Sequence, residues 1–235
     1  MKNFDHAKML KEFKEFSKGI SGIDDLTPKE IKHRKDIVDF GIEDVGLLKE
    51  MKGFFHSIAD DLVDRFYEHI YRFKPMKMII DAHSNISSLT GVQKKYFLDL
   101  VGGVDGGYGV EYFKERFKIE KVHNRINLGP KYYIRSYATY YSEVISRISQ
   151  YFTEDKKKAS ATIMAFLKIT NIDIQIAMET YIAEFMELDS TVGTLSSSSD
   201  NITDVSRNLA SSTEELSNAS TELTNNVMDI SERSQ

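Results

Sequence analysis

Between residues 28 and 187 the apolar positions recur three and four apart, the period of one face of an α-helix, with no run that alternates as a half-buried strand does. Thr27-Pro28-Lys29-Glu30 sets a capping hydroxyl before a proline at a first helical position, so a helix is predicted from Pro28. Gly41 to Glu43 breaks the chain ahead of a helix whose apolar positions are Val45, Leu48, Met51, Phe54 and Phe55. The next carries Ile58, Leu62, Phe66, Tyr67 and Ile70 and stops before Lys74-Pro75. A further helix starts near Asn85 with Ile86, Leu89, Val92, Tyr96, Phe97 and Leu100, and ends in the loop GGVDGGYG. Phe113, Arg116, Phe117, Glu120 and His123 lie on another, which ends around Asn127-Leu128-Gly129. Pro130 opens a long helix through Phe152, and residues 154–187 make the last. The pattern predicts an all-α fold.

Past Glu187 the broad stripe narrows to a strict repeat of seven. Leu188, Leu195, Ile202, Leu209, Leu216, Leu223 and Ile230 occupy one position of it; four residues on stand Val192, Ser199, Ser206, Thr213, Ser220, Val227 and Ser234. This is a coiled-coil seam that is apolar on one position only, so the isolated coil is expected to be weak. Serine-rich composition would otherwise make SSSSDNITDVSRNLASSTEELSNAS a flexible linker. Run backwards, the repeat passes through Tyr181, Ile174 and Leu167, with Phe185 and Met178 on the companion position, which predicts a last globular helix that runs directly into the coil. Because the chain ends in mid-heptad at Gln235, a truncated signalling or dimerisation stalk is expected.

Composition sharpens that division. All 26 aromatic residues (12 Tyr, 14 Phe) lie at or before Phe185. Residues 1–187 carry 29 basic against 28 acidic groups and residues 188–235 carry 2 against 8, which together give the net charge of -5. No basic excess is available to neutralise a phosphate backbone, so nucleic acid is not an expected partner. The absence of cysteine excludes disulfides, thiolate metal sites, iron–sulfur ligation and cysteine nucleophiles. No stretch approaches the roughly eighteen apolar residues of a membrane span, and MKNFDHAKMLKEFKEFSKGI is charged at every second or third position. The expectation is a cytoplasmic chain without span or signal peptide. No glycine-rich phosphate loop, nucleophile elbow or HExxH helix is present, and GGVDGGYG lacks a following Lys-Ser or Lys-Thr, so the chain is not expected to be an enzyme.

His123 closes a predicted helix ahead of a turn and a proline-opened helix, a place from which an imidazole can enter an apolar pocket between helices; a lone histidine at helical spacing is also commonly an ordinary surface or core residue. The segment Lys121-Val122-His123-Asn124-Arg125-Ile126-Asn127-Leu128-Gly129-Pro130-Lys131-Tyr132-Tyr133 resembles the proximal-histidine signature of globin-coupled sensors, the family that includes haem-based aerotaxis transducers. Asp64-Arg65-Phe66-Tyr67-Glu68-His69 and Ile79-Ile80-Asp81-Ala82-His83-Ser84 resemble two further segments of that family, in the right order. The likeness runs over residues 28–187, and the tail resembles the start of a methyl-accepting chemotaxis signalling coil.

The resemblance implies a globin-like sensor domain that holds haem b, with His123 as the iron ligand and Tyr67 as a distal hydrogen-bond donor to bound O2, carbon monoxide and nitric oxide being further candidate gases. Tyr133 would hydrogen-bond the second imidazole nitrogen, or else pack among Tyr132, Tyr137, Tyr140 and Tyr141. His83 would meet a haem propionate, or else stand exposed. Ile126 is a candidate pocket wall, as are Phe55, Leu89, Phe117 and Val122. Val92 falls where relatives can offer a hydroxyl, which leaves Tyr67 as the sole distal donor unless Gln93 or Tyr96 faces inward.

The expected organisation is an N-terminal extension helix over 1–27, a globin domain over 28–187 and a coiled-coil signalling helix over 188–235, homodimeric through the last two globin helices and the coil. A chemotaxis kinase and adaptor are the expected partners where a full signalling domain follows, and Glu214-Glu215 approaches the pattern of a methylated glutamate pair. The alternatives are a haem-free globin-fold scaffold or stress sensor, and a globin sensor for another output such as a cyclic-dinucleotide enzyme.

Overall fold

Thr27 accepts the Glu30 amide at 3.2 Å and Pro28 presets the first turn, which starts α1 (Pro28–Ile37) where the sequence predicts it. The structure is a computed structural model that describes residues 26–104 and 107–233. The extension helix expected over 1–27 lies outside the described residues except for Leu26 and Thr27, which precede α1 without being helical. Then follow α2 (Ile42–Glu50), α3 (Lys52–Tyr71), α4 (Lys74–His83), α5 (Ile86–Gly102), α6 (Val110–Arg125), α7 (Pro130–Tyr151) and α8 (Lys156–Arg233). The fold is all-α; the described residues contain no strand, only an isolated bridge between Val104 and Gly107.

Two boundaries differ from the sequence pattern. The helix expected to hold Val45 through Phe55 is interrupted at Met51, so Phe54 and Phe55 begin α3 and share one stripe with Ile58, Leu62, Phe66 and Ile70. Between α3 and Asn85 stands a helix the apolar period does not announce, α4, opened by Pro75 in its first turn, with Met76 and Ile80 as its buried residues. Asn85 caps α5 by accepting the Ser88 amide at 2.9 Å. The loop after α5 turns on Gly103 (φ +70°), where a Cβ would stand 2.3 Å from the Gly107 carbonyl oxygen, so only glycine fits.

The described chain divides into two units, one ending at Ala183 and one from Glu184 onward. In the first, α3 packs chiefly against α5 and α7. Phe55, Leu62, Phe97, Val144 and Phe166 are among the side chains fully withdrawn from water there. Arg34 of α1 is 3% exposed and makes a bidentate bond to Glu179 of α8, fastening the first helix to the last. α8 runs unbroken from Lys156 to Arg233, as the heptad pattern predicts. It is the one described helix long and apolar enough to cross a membrane, but half of its apolar window is buried in the protein, where Ala165, Phe166, Ile169, Ile172 and Ile176 form core. In the second unit Leu188, Leu195, Ile202, Leu209, Leu216 and Leu223 are each at least 61% exposed on the single chain.

Candidate functional site

α6 ends at a left-handed residue, Asn127 (φ 55°), and the Leu128 amide donates back to the His123 carbonyl at 3.0 Å. This closure buries Leu128, reverses the chain and lets Pro130 open α7, so that His123 occupies the last turn of α6 beside the first turn of α7. His123 is half-buried, its ring centroid 5.4 Å from that of Tyr133. Its Nδ1 lies 3.1 Å from Glu120 Oε2, one turn back on the same helix, while Nε2 has no partner among the described residues. Tyr133 does not bond the imidazole as the sequence suggests; it donates to the other oxygen of Glu120, Oε1, at 2.8 Å. Spacing explains the substitution: residues three apart on a helix share a face, and Glu120 reaches the ring before a phenol from the next helix can.

Glu120 is 1% exposed. Burial pushes its carboxyl above the usual range, and the bonds from His123 and Tyr133 pull it back. Behind it lies a buried polar cluster. Asp173 of α8, fully buried, accepts hydrogen bonds from the hydroxyls of Tyr96 and Tyr137, and the Tyr133 hydroxyl, whose proton goes to Glu120, stands 3.3 Å away. Arg116 of α6 is 1% exposed and places Nε 3.5 Å from Asp173 Oδ1, with Nη2 donating to the Tyr96 carbonyl at 3.1 Å. Its guanidinium lies over the rings of Tyr96 and Tyr112, 4.4 and 5.0 Å from their centroids. Burial alone would lower the Arg116 pKa, yet the facing charge of Asp173 raises it well above its ordinary value, so the group stays charged. Burial first, and then the Asp173 charge, push the phenols of Tyr96, Tyr133 and Tyr137 well above their usual range. Arg116 Nη1, Tyr112 Oη and Asp173 Oδ1 are left without hydrogen-bond partners in this cluster, as are both amide atoms of Asn124 next to His123.

Tyr67 lies in a second group of residues on α3, α5 and α7. Its hydroxyl donates to the Leu89 carbonyl at 3.4 Å, a long bond, and burial pushes its phenol up, so it stays protonated. Its ring meets Phe66 edge-on at 5.3 Å; Phe66 stacks on Tyr140, whose hydroxyl accepts from Gln93. A row of rings, Tyr140 to Tyr137 at 6.0 Å and Tyr137 to Tyr133 at 5.6 Å, joins this group to the His123 side.

The remaining sequence candidates fall apart. Val92 does not face Tyr67: it is 64% exposed, because the inward stripe of α5 is Leu89, Gln93, Tyr96, Phe97 and Leu100. The polar inward residues at this level are Gln93 and Tyr96. His83 is exposed at the C-terminal end of α4, and Ile126 is half-buried at the end of α6. Sequence reasoning placed Glu120 and Arg116 on the helical stripe with His123 without assigning them a role, and missed Asp173. The signal available was a glutamate one turn before the histidine, and an aspartate between Ile172 and Ile174 in an apolar stretch of α8.

Comparison with known proteins gives a consistent result. The Protoglobin family model matches residues 27–187. The chain is 27% identical over 171 residues to the heme-based aerotactic transducer HemAT of Halobacterium salinarum; the match covers 69% of this chain and 34% of that protein, so the chain spans about a third of its relative's length. The globin domain of a Geobacter sulfurreducens globin-coupled sensor superposes with a TM-score of 0.60 at 23% identity, over 66% of this chain and 98% of that one, which shows the fold. The chain belongs to the Protoglobin family.

Proposed function

We propose that this Protoglobin-family chain is the sensing part of a cytoplasmic haem-based oxygen sensor, with His123 as the ligand of a b-type haem iron and the exposed heptad stripe as a dimeric signalling coil. The observation that carries this is the state of His123: a buried carboxylate engages Nδ1 and Nε2 is left for a metal. The donor set fits haem, with one imidazole at one end of the row of rings, a protonated phenol at the other, and no cysteine in the chain for covalent attachment. The name of the Halobacterium relative, a heme-based aerotactic transducer, supports the same reading. A haem supplies the ferrous iron at which a diatomic gas binds.

The residues of this chain do the rest. His123 presents Nε2 from a helix end fixed by the Asn127 turn, and Ile126 contributes apolar wall. Tyr67 is free to exchange its long bond to the Leu89 carbonyl for a better acceptor, and a phenol in a dry site favours a gas that takes up negative charge. His83, exposed at the end of α4, is available to a carboxylate at the pocket rim. Two chains would pair through α7, α8 and the stripe from Leu188 to Leu223, with output to a chemotaxis-type kinase and adaptor. The test is the visible absorption spectrum of the purified protein and of His123→Ala. We expect a ferrous haem spectrum that changes on exposure to O2, and loss of haem or of histidine ligation in the variant. A haem-free wild type, or a variant with an unaltered spectrum and full haem content, overturns the proposal.

A further inference from the structure

We propose that Glu120 is the positioning residue of His123: its carboxylate holds Nδ1–H, fixes the tautomer and plane of the ring, and sets how strongly Nε2 donates to iron. The inference rests on haem binding at His123 and goes beyond it, since the family resemblance points to Tyr133 for this task. Three observations carry it. Glu120 Oε2 is the atom within hydrogen-bond distance of Nδ1, at 3.1 Å, and with Nδ1 as donor the lone pair is on Nε2. Glu120 is 1% exposed, so solvent neither competes for the carboxylate nor screens it. Its other oxygen is held by the Tyr133 hydroxyl at 2.8 Å, and that hydroxyl is also within 3.3 Å of Asp173 on α8, so the carboxylate is anchored to the neighbouring helices.

A carboxylate that accepts the imidazole proton gives the ring imidazolate character and makes Nε2 the stronger donor, which favours the ferric over the ferrous state. Tyr133 acts in the opposite sense. By donating to Oε1 it draws negative charge from Glu120 and weakens the pull on Nδ1–H. The two residues therefore form a balance set behind the ligand, and the Tyr133 hydroxyl acts on the His123 imidazole through Glu120.

The opposed signs give the test. Resonance Raman spectra of the ferrous, gas-free protein report the iron–histidine stretch, and a redox titration reports the midpoint potential. Glu120→Gln is expected to move the stretch to lower wavenumber and the potential upward at unchanged haem content. Tyr133→Phe, which removes the hydroxyl and leaves the carboxylate, is expected to move both the other way. An unmoved stretch in Glu120→Gln overturns the inference while haem binding through His123 stands. A Tyr133→Phe stretch shifted downward overturns it too, since Tyr133 would then be bonded to the imidazole itself. Tyr133→Phe provides a result even if Glu120→Gln does not fold. A wild type with no histidine-ligated haem overturns both this and the function it rests on.

Discussion

Replacing Asp173 by alanine should cost most of what any single change in this protein can. The carboxylate is fully buried and serves three groups: the hydroxyls of Tyr96 and Tyr137, and Arg116 at 3.5 Å. The hydroxyls have an alternative, because they already lie within reach of one another, Tyr96 to Tyr137 at 2.8 Å and Tyr133 to Tyr137 at 3.2 Å. Arg116 has none: without Asp173 its remaining contacts are the Tyr96 carbonyl and two ring faces, and it is 1% exposed. The uncompensated charge therefore sets the magnitude, about 3–5 kcal/mol for a buried pair broken on one side, out of a total stability of about 5–15 kcal/mol. The assay is urea unfolding of the full chain followed by near-ultraviolet circular dichroism; every aromatic residue but Phe185 lies before Glu184, so the signal reports the first unit. Asp173→Asn keeps an acceptor for the tyrosines and should fall between wild type and Asp173→Ala. The double variant Arg116→Met/Asp173→Leu removes both charges and should be more stable than Asp173→Ala alone. A cost below about 1 kcal/mol for Asp173→Ala, the range of an exposed ion pair, or a double variant less stable than the single one, refutes the reasoning.

Tyr67→Phe should raise the O2 dissociation rate several-fold or more in a stopped-flow measurement, for the loss of one hydrogen bond of about 1–3 kcal/mol in a dry site; an unchanged rate assigns the task to another donor such as Gln93. Gly103→Ala should destabilise by about 2 kcal/mol or more in the same urea assay, since its φ is +70° and its Cβ would meet backbone at 2.3 Å. Gly91→Ala, where a Cβ meets nothing within 4 Å on a helix, should be neutral or stabilising, and equal effects at the two sites would contradict the geometry. The phenols of Tyr67, Tyr96, Tyr108, Tyr112, Tyr133, Tyr137 and Tyr140 are all pushed up by burial. A group whose pKa rises on folding contributes stability that is complete below its unfolded value, about pH 10, and lost as the pH climbs beyond it. Phenolate absorbance from these seven should thus appear together with unfolding in alkaline titration, and a gradual rise in the folded protein would show that they are accessible.

Local signals are legible along the chain itself. Thr27, Asn85 and Pro130 start helices because caps and proline act on their immediate neighbours, and the seven-residue repeat reads through α8 because its period is a property of consecutive residues. The placement of His123 at a helix end is likewise local, set by the turn at Asn127. What surrounds His123 is not. Burial of α3, α5, α7 and α8 against one another selects which face of each helix is inside, and that selection turns Val92 out to solvent while Gln93 and Tyr96 come in. It also joins Asp173 to Tyr96 across 77 residues of chain and to Tyr133 across 40, pairings no spacing rule contains. A charge in an apolar stretch reads as an exposed residue until its counter-charge is known, and Arg116 lies on another helix. The sequence thus determined most of the helix starts, the long last helix and the position of the histidine, but not the break at Met51 or the helix Lys74–His83. Spacing alone places Glu120 one turn from the histidine, and tertiary packing decided what that carboxylate is, because only the fold withdraws it from water and sets Tyr133 on its other oxygen.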